Sequence, residues 1–125
     1  MQAITTTEAP QAIGAYSQAQ QHGNQIYTSG QIPFSKDGLL VGEDISSQTE
    51  QVMKNLEAIL LHAGTDFNNV IKTTCYLSDM DNFAAFNAVY AKYFDRSFPA
   101  RSCVEVARLP RDVLIEIEAI AFLPR

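Results

Sequence analysis

The chain has 125 residues, of which 46% are hydrophobic, with a formal net charge of -5 and a sequence pI of about 4.8. This length fits one domain, and the apolar content is too high for a disordered chain. Because an acidic surface repels a phosphate backbone, the composition argues against a broad nucleic-acid interface. No apolar run approaches the roughly 20 residues that a bilayer span requires, so we expect no membrane segment.

The N-terminus and the cysteines indicate a reducing compartment. Residues 1–10 contain no basic segment followed by an apolar stretch, and their Glu8 suits neither a secretory signal nor a transit peptide. We therefore expect a cytoplasmic protein in which Cys75 and Cys103 are free thiols. The two histidines, His22 and His62, lack metal-ligand spacing, so we expect no bound metal.

The first elements in chain order are extended. Residues 16–33 are predicted to be strand-like, because β-prone residues at 26–28 follow a turn signal at Gly23 and Asn24. Gly30 interrupts this strand, which indicates a bulge or a close approach of the backbone to another group.

The middle of the chain alternates between helix and strand. Apolar spacing predicts a helix over residues 45–63, with Asp44 as its N-cap and Gly64 just past its end. A strand over residues 70–77 and a second helix over about 82–94, with an aromatic core stripe, follow.

Two strands, at about 101–107 and 113–122, complete the chain. The order of elements predicts one α+β domain over residues 1–125, with two helices on one face of a sheet of roughly five or six strands. The last strand is apolar on both sides, and two helices on one face cannot cover the other face of the sheet. We therefore expect the second face to be buried in a closed homo-oligomer.

The last two strands are expected to pair as a hairpin. Matching their apolar faces places Cys103 opposite Glu116 and brings Arg101, Glu116 and Glu118 to one side of the sheet. Arginine suits two-point recognition of a carboxylate, and a partly desolvated carboxylate can serve as an acid or base. A plain interface salt bridge between Arg101 and a glutamate explains the same pattern about equally well.

Six segments of the chain form a recognisable set: Ile13–Ser17, Thr28–Pro33, Val70–Thr74, Phe86–Tyr90, Pro99–Pro110 and Ile115–Ala121. Together they resemble the Rid family, in its RidA type, from near residue 8 to the end. The long C-terminal segments are the most specific, and the shorter ones occur in the right order.

The resemblance implies a chorismate-mutase-like α+β fold, a homotrimer, and clefts that lie between subunits. It implies hydrolysis of reactive enamine and imine acids of the 2-aminoacrylate and 2-aminocrotonate type to 2-keto acids and ammonia, without a cofactor. Such compounds escape from pyridoxal-phosphate-dependent dehydratases, which gives a functional link to those enzymes. No nucleic acid or membrane partner is implied.

The resemblance also implies roles for individual residues. Arg101 would bind the substrate carboxylate, and Glu116 would hold and help to activate water. The pocket would be lined or shaped by Tyr16, Ser29, Gly30, Asn87 and Cys103. Ala15 stands where family members often have proline, which puts the rate or the substrate range in doubt more than the reaction.

Two other functions stay open. One is an RNA-directed activity, as endoribonuclease or translation inhibitor, against which the acidic pI and the lack of a basic stripe argue. The other is a non-catalytic trimer that binds keto acids or similar metabolites as a sensor or chaperone, in which Arg101 would serve equally well.

Overall fold

A computed structural model describes residues 1–124 as one mixed six-stranded sheet with two helices, and this confirms the predicted α+β class. The sheet order is β1-β2-β3-β6-β4-β5, and only the β4–β5 pair is parallel. The strands are β1 (Gln2–Ile4), β2 (Ala19–His22), β3 (Gln25–Thr28), β4 (Val70–Leu77), β5 (Ala100–Glu105) and β6 (Ile115–Phe122). The helices are α1 (Ile45–Ala63) and α2 (Phe83–Ala91).

Helix α1 has the predicted bounds and the predicted ends. The Asp44 side chain accepts a hydrogen bond from the Ser47 amide at 3.0 Å. Gly64 ends the helix at φ 98°, a left-handed conformation that glycine adopts at no steric cost. The apolar stripe that includes Val52 and Leu56 is fully buried in the core. Neither helix in residues 1–124 is both long enough and apolar enough to cross a membrane.

Helix α2 is shorter than the predicted 82–94 but buries the predicted aromatic stripe. Residues 92–94 continue in a tighter turn, in which each amide bonds to the carbonyl three residues before it. Phe86 and Tyr90 are in the core, and the Tyr90 hydroxyl lies 2.7 Å from Thr73 Oγ1 on β4. This contact places α2 over the end of the sheet formed by β4 and β5.

The predicted extended segment 16–33 is two strands, β2 and β3, with the turn at Gly23 and Asn24. Strand β1 was not predicted, because three residues give too little periodicity to detect. After β3 the chain makes one more bridge to β6. The Gln31 amide donates to the Ile117 carbonyl at 2.8 Å, and the Ile117 amide donates back at 3.1 Å.

The predicted hairpin of the last two strands is wrong. Strand β4 lies between β5 and β6, so that Cys75 is paired with Cys103 on one side and with Ile117 on the other. The reason is that α2 connects β4 to β5 as a β–α–β unit, which makes them parallel neighbours. Strand β6 then pairs with the free side of β4.

The two faces of the sheet differ as expected. Both helices pack on the face that carries Cys75 and Ile117, while β6 alternates between buried and half-buried residues. The other face, called here the open face, carries apolar side chains that include Tyr27 at 43% and Val104 at 46% exposure. These side chains leave apolar surface exposed on the open face.

Candidate functional site

Arg101 lies on the edge strand β5 and turns its guanidinium toward α2. Nη1 donates a hydrogen bond to Asn87 Oδ1 at 2.7 Å. Its Cζ lies 4.9 Å from the ring centroid of Tyr90 and within 5.5 Å of two phenylalanine rings, which favour a cation. Within residues 1–124 no carboxylate forms an ion pair with Arg101. The cation is thus fixed in place without a counter-ion.

A cleft of about 380 Å³ opens beside this guanidinium. Its lining comes from α2 and from the segment that leads into β5. The lining residues are Asn87, Tyr90, Ala91, Phe98, Pro99 and Arg101. An arginine with free donors and apolar surroundings suits a small carboxylate with an apolar body.

Cys103 lies two residues along β5 from Arg101 and on the same side of the strand. Burial raises the pKa of its thiol, and the nearby Arg101 charge only partly opposes that effect. The thiol is therefore neutral near pH 7, which does not suit a nucleophile. Cys75, deeper in the core, has a pKa raised by burial to about 12.

Glu116 lies on β6 and points to the open face, where it is half-buried. Burial raises the pKa of its carboxyl, and the negative charge of Glu118 raises it further. Glu118 itself accepts a hydrogen bond from the Tyr76 hydroxyl at 3.3 Å. A carboxylate with a raised pKa is a stronger base, which suits proton transfer near neutral pH.

Gly30 explains how Glu116 is accommodated. A Cβ atom added at Gly30 would lie 2.7 Å from Glu116 Cδ and 3.0 Å from Cγ, closer than real contacts allow. The absence of a side chain at this position therefore leaves room for the carboxylate where it now lies. Of the two readings of Gly30 from the sequence, a bulge or a close approach of the backbone to another group, the structure has the close approach. The backbone bridge of Gln31 with Ile117 fixes this approach.

Ser29 and Tyr16 flank the same corner. The Ser29 hydroxyl donates to the Ser17 carbonyl at 2.6 Å, and its amide donates to the Gln18 carbonyl at 2.9 Å. Tyr16 is 52% exposed, and its hydroxyl accepts a hydrogen bond from the Ile13 amide at 3.4 Å. Ser29 thus ties the N-terminal loop, with its exposed tyrosine, to the end of β3.

The residues predicted from the sequence therefore form two groups. The arginine half-site consists of Arg101, Asn87 and Cys103, and the glutamate half-site consists of Glu116, Gly30, Ser29 and Tyr16.

The two half-sites lie on opposite faces of the sheet. Arg101 is paired with Thr73, and Glu116 is paired with Tyr76. Directly paired residues point to the same face, and positions 73 and 76 differ by an odd number along β4. The prediction that Arg101 and Glu116 share a face is therefore wrong for a single chain.

Sequence reasoning missed residues that hold or extend these half-sites. The buried Asn55 of α1 donates from its amide to the carbonyls of Ile32 and Phe34, at 3.1 and 2.9 Å, and so fixes the segment after Gly30. An asparagine at helical spacing from the apolar residues Val52 and Ile59 is the signal that could have identified it. Phe98, at 67% exposure beside the cleft, had no such signal.

A family model described as Endoribonuclease L-PSP matches residues 6–123. The chain belongs to this family, which includes the Rid proteins. It is 49% identical over 121 residues to a Salmonella typhimurium protein named 2-iminobutanoate/2-iminopropanoate deaminase, covering 94% of each chain. The family resemblance inferred from the sequence is thus confirmed.

Solved structures of the family have the same fold. Yersinia pestis YyfA, described as a member of the conserved Rid protein family, has a TM-score of 0.95 and 48% identity, with 98% of each chain covered. Escherichia coli TdcF, solved with bound serine, has a TM-score of 0.95 and 41% identity, covering 99% of this chain and all of the other.

Proposed function

We propose that this protein hydrolyses reactive 2-imino acids, and the enamines that tautomerise to them, to 2-keto acids and ammonia. The observation that carries the proposal is Arg101. Its guanidinium is held by Asn87 over three aromatic rings, opens onto a cleft, and has no counter-ion within residues 1–124. A fixed and uncompensated arginine is suited to a substrate carboxylate.

The relatives support this class of reaction. Enterobacterial proteins at 49% identity are named 2-iminobutanoate/2-iminopropanoate deaminase, and TdcF holds serine, which has the 2-amino acid skeleton. Other relatives have names that refer to regulation or to RNA cleavage. Family membership alone therefore does not fix the activity, and the site has to carry the argument.

The chemistry needs only the two half-sites. Arg101 binds the carboxylate, so that the imine carbon lies beside a water held by Glu116. As the water oxygen adds to that carbon, Glu116 accepts a proton from the water, and the nitrogen gains a proton to give a carbinolamine. The hydroxyl oxygen then loses its proton and forms C=O, the nitrogen gains a proton, and the C–N bond breaks to release ammonia. Orientation supplies most of the acceleration.

We further propose that the two half-sites meet between copies of the chain, in the homotrimer that the family resemblance implies. Support comes from their position on opposite faces of the sheet and from the partly apolar open face around Glu116. One subunit would supply Arg101 and its neighbour Glu116. The substrate would then come from reactions that release 2-imino acids, such as those of pyridoxal-phosphate-dependent dehydratases.

A coupled assay tests the activity. A serine/threonine dehydratase generates the imine, semicarbazide traps what is not hydrolysed, and the trapped fraction is followed with and without the protein. We expect the wild type to reduce trapping and both Arg101→Ala and Glu116→Gln to lose this effect. Glu57→Gln and Lys54→Met, on the exposed side of α1, are matched controls that should behave as wild type.

Mixing the two inactive variants tests the shared site. If Arg101→Ala and Glu116→Gln are unfolded and refolded together, about one quarter of the interfaces regain both groups, and activity should return in that proportion. Light scattering gives the mass of the assembly. Two inactive variants that stay inactive after forming mixed assemblies would show that the half-sites do not act across an interface.

The same proteins separate the other functions. A wild type that matches the blank but binds 2-oxobutanoate would favour a non-catalytic metabolite-binding trimer. RNA cleavage is measured with protein purified to constant specific activity. If Arg101→Ala and Glu116→Gln both keep an RNA-cleaving activity, that activity lies outside this site.

A further inference from the structure

A second pocket, of about 270 Å³, extends from the glutamate half-site, and the chemistry above uses none of its other walls. It includes Tyr16 and Gly30 of that half-site. Its remaining walls carry the apolar side chains of Pro10, Ile13, Ile32 and Phe34 and the charged side chains of Lys36, Asp37 and Arg111.

Arg111 reaches this pocket from a strained turn. Arg111 and Asp112 have φ angles of 58° and 55°, the left-handed region that costs a non-glycine residue free energy. The turn is held by the paired contact of Arg108 with Asp112, at 2.6 and 3.1 Å, and by buried residues on both sides, Leu109 and Val113. Strain that persists in this way is commonly associated with a functional position.

The charges of the pocket leave one cation without a partner. Lys36 lies 3.5 Å from Glu8 and next to Asp37 in sequence, so its charge is matched. Arg111 places its Cζ 4.9 Å from the Phe34 ring centroid and forms no ion pair within residues 1–124. A guanidinium on an aromatic ring keeps its edge donors free for an anion.

We propose that this pocket receives the side chain of the substrate, and that Arg111 selects imino acids whose side chain ends in a carboxylate. The proposal rests on the proposed function, because it requires the reacting carbon to lie near Glu116. Gly30 contacts Glu116 and also lines the pocket, so a substituent on that carbon has the pocket beside it. The apolar walls contact the methylene groups, and Arg111 contacts the distal carboxylate.

Binding of two 2-keto acids, the products of such reactions, tests this by calorimetry. We expect the wild type to bind 2-oxoglutarate about fivefold more tightly than 2-oxobutanoate, the size of an exposed ion pair. Arg111→Met and Arg111→Gly should lose that preference, while Arg111→Lys should keep part of it. The glycine variant relieves the left-handed strain, so a loss of preference there does not come from backbone strain. Lys54→Met removes the same charge elsewhere and should keep the preference.

Each outcome has one meaning. A wild type without the preference, including one that binds neither acid, overturns the proposal, and so does a preference that survives in Arg111→Gly. Imine hydrolysis measured in parallel separates the two proposals. Hydrolysis without the preference refutes only the role of Arg111. An Arg111-dependent preference in a protein that hydrolyses no imine refutes only the proposed reaction and leaves a dicarboxylate-binding pocket.

Discussion

Replacing Gly30 by alanine should abolish most of the imine hydrolysis while leaving the fold intact. The added Cβ would lie 2.7 Å from Glu116 Cδ, so the carboxylate has to swing away from its present position by about 1 Å. The Glu116 side chain is only half-buried and can move, and Gly30 does not have a positive φ, so alanine is not strained there. Because a misplacement of about 1 Å can cost about 10²-fold in rate, we expect a loss of that size.

The coupled trapping assay measures this loss, and thermal unfolding measures the stability. Gly23→Ala is the matched control, since Gly23 has φ 61° with no atom near its Cβ position. It should lower the free energy of unfolding by about 1 kcal/mol and leave the rate unchanged. In a Glu116→Asp background the shorter side chain no longer meets the added Cβ. Gly30→Ala should therefore lower the hydrolysis rate much less in that background than in the wild type. Equal costs in both backgrounds would refute the steric argument.

Three further changes have defined outcomes. Asn55→Ala leaves two backbone carbonyls without their donor and should lower the free energy of unfolding by about 2–3 kcal/mol, measured in urea. Cys103→Ser should keep activity, because burial raises the thiol pKa and the neutral group is no nucleophile; loss of all turnover would contradict this. Glu118→Gln removes a charge that raises the Glu116 pKa, so the acid limb of the pH–rate profile should move to lower pH. An unchanged acid limb would show that the charge of Glu118 does not affect the Glu116 pKa.

The sequence predicted those parts of the fold that depend on neighbours along the chain. Helix α1 was found with its ends because the cap at Asp44, the stop at Gly64 and the apolar spacing are all local. Gly30 also indicated a bulge or a close approach of the backbone, although its proximity to Glu116 was not visible. The strained turn at Arg111 had no sequence signal, since arginine gives no indication of a positive φ.

Strand pairing failed because it is not a local property. A hairpin and the observed order both bury the apolar side of β6, so matching faces could not decide between them. The deciding element is α2, whose connection from β4 to β5 requires a parallel pair. Family resemblance gave Arg101 and Glu116 as candidates but no information on which face each one occupies within a chain.

The observed order has a chemical consequence that the hairpin would not have had. If Arg101 and Glu116 were neighbours on one face, as in the hairpin, they would form an ion pair. Such a pair lowers the carboxyl pKa and occupies the guanidinium. With β4 between their strands, Arg101 keeps free donors over its aromatic rings, and burial raises the pKa of Glu116. The fold thus keeps Arg101 and Glu116 from neutralising each other within the chain. Under the proposed assembly they meet only across the cleft that the substrate enters.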